Sequence, residues 1–212
     1  TRWGEKLTRV EGVVEADGLQ HRLAVAVEGN TRTAFREDKA ARAADYFGSL
    51  GVVLFTPDDV GLVRGPPADR RRFLDRAIFT GQPSHLADVL RYRRALEARN
   101  RLLRDGAASA LIEAYEGPLA AAGARLMASR VERVAQLAPR FARIFGAIAG
   151  DVTAKMSYRA CIEGPTESDA EARLLRLWAE DRDRDRARGF LARQSDQMDQ
   201  TVTALLELLP QK

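Results

Sequence analysis

The stretch from Phe55 to Asp75 constrains this chain most, because its proline and glycine punctuation separates a strand-rich half from one that is almost wholly helical. Ahead of it, Gly51 to Phe55 is an unbroken apolar run with β-branched residues, the pattern of a strand buried on both faces. Thr56 is placed to cap a helix, Pro57 fits its first position, and Asp59 follows three residues after Thr56, so Thr56-Pro57-Asp58-Asp59 reads as a capping box. Gly65-Pro66-Pro67 stops that short helix. Pro67 then opens a second one, with Asp69 at its positive end and Phe73, Leu74, Ala77 and Ile78 as its apolar face. On it Arg71 and Asp75 are spaced to pair, while Arg72 and Arg76 share an outward line of like charge that suits an anionic partner.

The half before this divide reads as an antiparallel meander with one apolar face. Leu7 to Ala16 and Leu19 to Val27 are joined by Asp17-Gly18, a dipeptide suited to a two-residue hairpin turn, and Leu19, His21, Leu23, Val25 and Val27 alternate along the second strand. Gly29-Asn30 turns into a third strand, Thr31 to Phe35. His21 reads as a hydrogen-bonded structural histidine, since His85 is the only other one and no cysteine pair accompanies them, so no metal site is expected. Glu37 to Asp45, charged and alanine-rich, reads as a surface helix or loop.

Past the divide, helical spacing takes over. Leu86, Val89, Leu90, Leu96 and Leu103 make one stripe, with Arg91, Arg93, Arg94, Arg99, Arg101 and Arg104 around it as a solvated face, and with Asn100 placed for a specific hydrogen bond. Ala110 to Leu137 carries Leu111, Tyr115, Leu119, Leu126, Arg130, Val134 and Leu137, with a kink expected at Gly117-Pro118. Pro139 is expected to open a further helix with Phe141, Ile144, Phe145 and Ile148 inward. A short strand follows near Thr153 to Tyr158, and Thr166 or Ser168 caps a helix with Leu174, Leu177 and Trp178 inward. The alternating charges of Asp181 to Arg186 read as its solvated end. Met198 to Leu209 has the pattern of an amphipathic helix.

Composition narrows the class. The 212 residues, 45% hydrophobic and 30% charged, can bury a sizeable core in one large or two small domains. The net charge is +4, yet of 34 basic residues only Lys6, Lys39, Lys155 and Lys212 are lysines. That arginine bias is what a GC-rich coding sequence yields, so basicity by itself is a weak pointer to nucleic acid. A lone Cys161 rules out an internal disulfide framework and, with no apolar run of membrane-spanning length, leads us to expect a cytoplasmic protein. Nucleophile motifs such as Gly-x-Ser-x-Gly are absent, and neither histidine has a legible triad partner.

The ordered set Phe55, Thr56-Pro57-Asp58-Asp59, Leu62-Val63-Arg64-Gly65, Pro67, Arg70-Arg71 and Phe73-Leu74-Asp75 resembles the long signature of the RecF family of bacterial DNA recombination and repair ATPases. The likeness continues through Tyr92-Arg93, Leu96, Arg99-Asn100 and Leu102-Leu103, and through Tyr115-Glu116, Leu119, Gly123-Ala124 and Arg130. Departures are mild: the family usually has Glu near Asp58, Leu at Val60 and Ser at Pro66. Neither the Gly-x-x-x-x-Gly-Lys-Ser/Thr P-loop nor the Walker B acidic run occurs in these residues. By resemblance the P-loop is expected upstream of Thr1, and the signature and Walker B blocks after Phe190.

The resemblance implies an α+β fragment of a P-loop ATPase head of the ABC/SMC-like type, an antiparallel meander followed by a helical arm. Residues 1–66 would be the strand-rich lobe of the head and 67–189 the arm, with 190–212 unassigned. It also implies a slow, regulatory ATPase that binds ATP and Mg²⁺ in the complete protein, none being expected to bind this chain alone. Further implications are an ATP-dependent homodimer, binding to gapped single- and double-stranded DNA, and partnership with RecO and RecR in loading the RecA recombinase. Thr56, Asp58 and Asp59 match the Q-loop, which approaches the nucleotide; Arg64, Arg72 and Arg76 are the candidate DNA contacts. The competing expectation, from a different class, is a non-catalytic helical scaffold for protein partners.

Overall fold

The computed structural model describes residues 4–16, 18–42, 45–46, 56, 59, 61–150, 153–160, 162, 166–190 and 205–207. These fall into two compact units, the first formed by Thr1–Phe55 with Phe79–Ser84 and the second by Thr56–Ile78 with His85–Lys212. The run Gly51 to Phe55, expected as a buried strand, lies outside the described residues.

The first unit carries a four-stranded antiparallel sheet, β1 (Leu7–Ala16), β2 (Leu19–Glu28), β3 (Thr31–Arg36) and β4 (Lys39–Ala41), in sequential order. The expected hairpins form with the expected register, Ala16 opposite Leu19 and Glu28 opposite Thr31, each closed over two residues. Glycine supplies the positive φ that such turns need, +74° at Gly18 and +56° at Gly29. Along β2, Leu23 and Ala24 are buried and Val25 and Val27 half-buried, while Leu19 is exposed. His21 pairs with Glu37 at 3.3 Å.

Glu37 to Ala41 differs from the expected helix or loop. Arg36 lies opposite Lys39, so Glu37 and Asp38 form a third tight turn leading into β4, and both adopt positive φ, 48° and 60°. Long-range contacts hold this backbone where glycine is the usual choice. The Arg22 N–H donates to the Glu37 carboxylate, and Asp38 pairs with Arg9 at 3.1 Å and Arg22 at 3.3 Å. Arg9 also lies over the Phe35 ring, 5.0 Å from its centroid.

The second unit is helical. A four-residue helix, α1 (Gly61–Arg64), precedes α2 (Pro67–Gly81), α3 (His85–Arg104), α4 (Ser109–Ala149) and α5 (Glu167–Arg188). A small two-stranded sheet pairs β5 (Thr153–Lys155) with β6 (Leu205–Glu207). β6 replaces the amphipathic helix expected over Met198 to Leu209, the rest of which lies outside the described residues. Thr166 caps α5 by accepting from the Asp169 N–H at 3.1 Å, and Gly189 ends it in the left-handed region at φ 70°. No helix among the described residues is long and apolar enough to cross a membrane.

The core joins Tyr92 of α3, Leu119, Leu126 and Met127 of α4, and Leu174 and Trp178 of α5. Burying an aliphatic side chain of that size contributes roughly 1.5–3 kcal/mol each. Ala120, Ala122, Gly123 and Ala124 are buried beside them and let the helices approach closely. α4 is one helix of 41 residues containing Pro118 and Pro139, where a kink and a new helix were expected. Each proline removes one i→i−4 hydrogen bond, a local cost that packing along the rest of the helix outweighs. Leu111 and Tyr115 face solvent, and Ile112 and Glu116, one position on, face inward.

Candidate functional site

The segment that organises the sequence is held by local devices. Asp59 accepts from both the N–H and the hydroxyl of Thr56 through Oδ2, and its own N–H donates to the Thr56 carbonyl, so the carboxylate half of the capping box is formed. Asp58 lies outside the described residues. Gly65 closes α1 by donating to the Gly61 carbonyl at 2.6 Å, and a Cβ on Gly65 would collide with that oxygen. Arg70 reaches back from α2 and donates to the carbonyls of Gly65 at 2.8 Å and Leu62 at 3.3 Å, satisfying groups that the helix end leaves open. The spacing of Gly65 and Arg70 is therefore explained by backbone geometry.

On α2, Leu74 and Ile78 are buried as expected, but Phe73 is 44% exposed. Residue 73 lies 100° around the helix from residue 74, outside the narrow stripe that the neighbouring helices cover. Arg72 and Arg76 lie on one exposed line, and Arg72 reaches Asp69 at 3.6 Å. The side chain of Arg64 lies outside the described residues. Geometry thus brings Arg72 and Arg76 together.

Asp75, spaced along α2 to meet Arg71, is held from other helices. Arg130 of α4 grips it bidentately, Nε to Oδ1 at 3.0 Å and Nη2 to Oδ2 at 3.0 Å, and the Nε2 of His85 lies 3.0 Å from Oδ1. His85 and Arg130 are buried. Burial pushes the Asp75 carboxyl up, but the His85 hydrogen bond and the Arg130 charge outweigh it and hold the group below its ordinary value of 3.8. Asp75 is then an ionised acceptor, so His85 donates from Nε2. The pairing ties α2, α3 and α4 together and gives His85 a structural role.

A second buried network lies among the helices. Arg99, expected on the solvated face, is fully buried, with Glu116 of α4 at 2.6 Å and Asp185 of α5 at 3.2 Å. Arg182 closes it through Glu116 at 2.9 Å and Glu113 at 2.6 Å. Asp181 and Asp185 are buried too, so the alternating charge run is not simply a solvated helix end. A sequence signal for this existed: Arg99 is seven residues after Tyr92 and four before Leu103, on their stripe, as Asp185 is seven after Trp178. Among the described residues no three His, Cys, Asp or Glu side chains gather as a metal-holding group.

This architecture, an antiparallel sheet with a helical unit, is a partial α+β fold shared with solved structures of RecF proteins. Two solved structures described as the recombination mediator protein RecF in the RecFOR pathway match 92% of the chain, with TM-scores of 0.84 (RecF-ATPrS) and 0.83 (RecF-ATP) at 20% identity; the chain covers 55% and 54% of them. In sequence the chain is 42% identical over 198 residues to the DNA replication and repair protein RecF of Myxococcus xanthus, a match covering 89% of this chain and 52% of that protein. It is 42% identical over 214 residues to RecF of Anaeromyxobacter dehalogenans, covering 96% and 57%, and 35% identical over 165 residues to RecF of Geobacter metallireducens, covering 77% and 45%. No family model matches. The chain is homologous to the RecF proteins over nearly all of its own length, and it spans about half the length of these relatives.

Proposed function

We propose that the chain is part of an ATP-dependent DNA-binding protein of recombinational repair and replication, within the SOS response, that works in the cytoplasm. In this reading the complete protein binds ATP with Mg²⁺, dimerises on the nucleotide, binds DNA at single- to double-strand gaps and cooperates with RecO and RecR in loading RecA. Thr56, Asp58 and Asp59 approach the nucleotide, and Arg64, Arg72 and Arg76 approach DNA. Residues 1–66 serve as a lobe of the head and 67–189 as its arm. The observation that carries the reading is the 42% identity over 198 residues to a RecF protein.

The test is DNA binding by the full-length gene product, with and without ATP and Mg²⁺. ATP should tighten binding to gapped DNA at least tenfold, a difference of about 1.4 kcal/mol, and Asp58→Asn together with Asp59→Asn should erase that gain without unfolding the protein. The 212-residue chain alone should show no ATP binding by calorimetry. Gapped-DNA affinity that ignores ATP, or micromolar Mg²⁺-dependent ATP binding by the 212-residue chain, would overturn the assignment.

A further inference from the structure

The core-facing stripe of α4 outruns its partners. At 1.5 Å per residue, its 41 residues extend about 60 Å, whereas the 20 residues of α3 and 22 of α5 extend about 30 and 33 Å. Over its first half the stripe is buried through Ile112, Leu119, Leu126, Arg130 and Val134. It continues at the same angular position as Leu137, Phe141, Ile144, Phe145 and Ile148. β5 packs against α4, yet Ile144 remains 51% exposed and Ile148 81% exposed. Phe141 and Phe145 stack at 5.8 Å between their ring centroids, which stiffens the apolar surface next to them.

Charge along this overhang is one-sided. From residue 133 to 160 the sequence has Arg133, Arg140, Arg143, Lys155 and Arg159 against the single acid Asp151, which lies outside the described residues. Arg133, Arg140 and Arg143 lie on one flank of the apolar stripe over about 15 Å of helix. Among the described residues no carboxylate pairs with them, whereas the arginines of the buried half, Arg125 and Arg130, are matched to Asp88 and Asp75. An apolar strip with uncompensated cations along one edge is complementary to a helix bearing apolar side chains on one face and carboxylates beside them.

We propose that the overhanging half of α4 is a docking site for an acidic amphipathic helix of a separate partner protein, its apolar face on Ile144 and Ile148 and its carboxylates on Arg133, Arg140 and Arg143. A protein segment fits better than nucleic acid, because phosphate contacts would use the arginines and leave Ile144 and Ile148 in water. The site is independent of the DNA contacts proposed above.

The probe is a fluorescein-labelled 18-residue helical peptide with leucines at i, i+3, i+4 and i+7 spacing and glutamates elsewhere. A shuffled peptide of identical composition and a 20-base-pair duplex serve as comparisons. By anisotropy the 212-residue chain should prefer the amphipathic peptide to the shuffled one at least tenfold. Ile148→Asp, and separately the pair Arg140→Glu with Arg143→Glu, should each weaken it about tenfold or more while leaving the melting temperature within a degree or two, since these side chains face solvent. Equal binding of the shuffled peptide would reduce the site to bare charge and overturn the proposal. Loss of duplex affinity in the reversed variant would make the face a phosphate surface, and loss of self-association would make the occupant a second copy. A full-length gene product that refuses the peptide while the 212-residue chain takes it would place the occupant in the same polypeptide; each of these three results also overturns the proposal.

Discussion

Replacing Asp75 with asparagine tests the link between α2, α3 and α4. The side chain keeps its shape but loses the charge that Arg130 meets at 3.0 Å through both oxygens and that accepts from His85 at 3.0 Å. Arg130 would then be buried without its carboxylate, and breaking a buried pair from one side typically costs about 3–5 kcal/mol. The carboxyl is held below its ordinary value of 3.8 in the folded chain, so its contribution is present above that value and lost as pH falls through the lower, folded one. Urea unfolding at pH 7 should show Asp75→Asn less stable by about 3–5 kcal/mol, and the gap should narrow below about pH 4 as the parent carboxyl is protonated. Pairing Asp75→Asn with Arg130→Met should cost less than the sum of the two single changes, because neither charge is then left unmatched. A gap that stays constant from pH 7 to pH 3, or additive single changes, would show that the ion pair does not hold these helices.

Leu74→Ala should cost roughly 2–5 kcal/mol by opening a cavity, whereas Phe73→Ala and Arg72→Ala should each stay within about 0.5–1 kcal/mol; equal midpoints in thermal melts would refute the assigned face. Arg99→Met should destabilise by about 3–5 kcal/mol by removing the cation that Glu116 and Asp185 share inside the core; an unchanged midpoint in chemical denaturation would mean that this network does not hold the helices. In the full-length gene product, replacing Arg64, Arg72 and Arg76 with alanine should weaken binding to duplex and gapped DNA alike and flatten the log–log salt slope by about 0.9 per lost phosphate contact. An unchanged slope would assign these arginines to structure or to a protein partner.

What the sequence determined by itself is what short-range physics controls. Gly18 and Gly29 set the hairpins, Pro67 opens α2, Thr166 caps α5 and Gly189 ends it, because each acts on backbone within a few residues. The long signature from Phe55 to Asp75 sufficed to point to the RecF family. The tertiary structure decided which charges go inside. Asp75, four residues from Arg71, takes Arg130, 55 positions away, because a second helix delivers a buried guanidinium to it. Arg99 likewise escapes the reading of a solvated arginine face, since only the arrival of Glu116 and Asp185 makes its burial affordable. Pro118 is spanned by the helix for the same reason: the packing of Glu116, Leu119 and Ala120 that offsets a missing backbone hydrogen bond comes from residues distant in sequence, and local propensity carries no record of it.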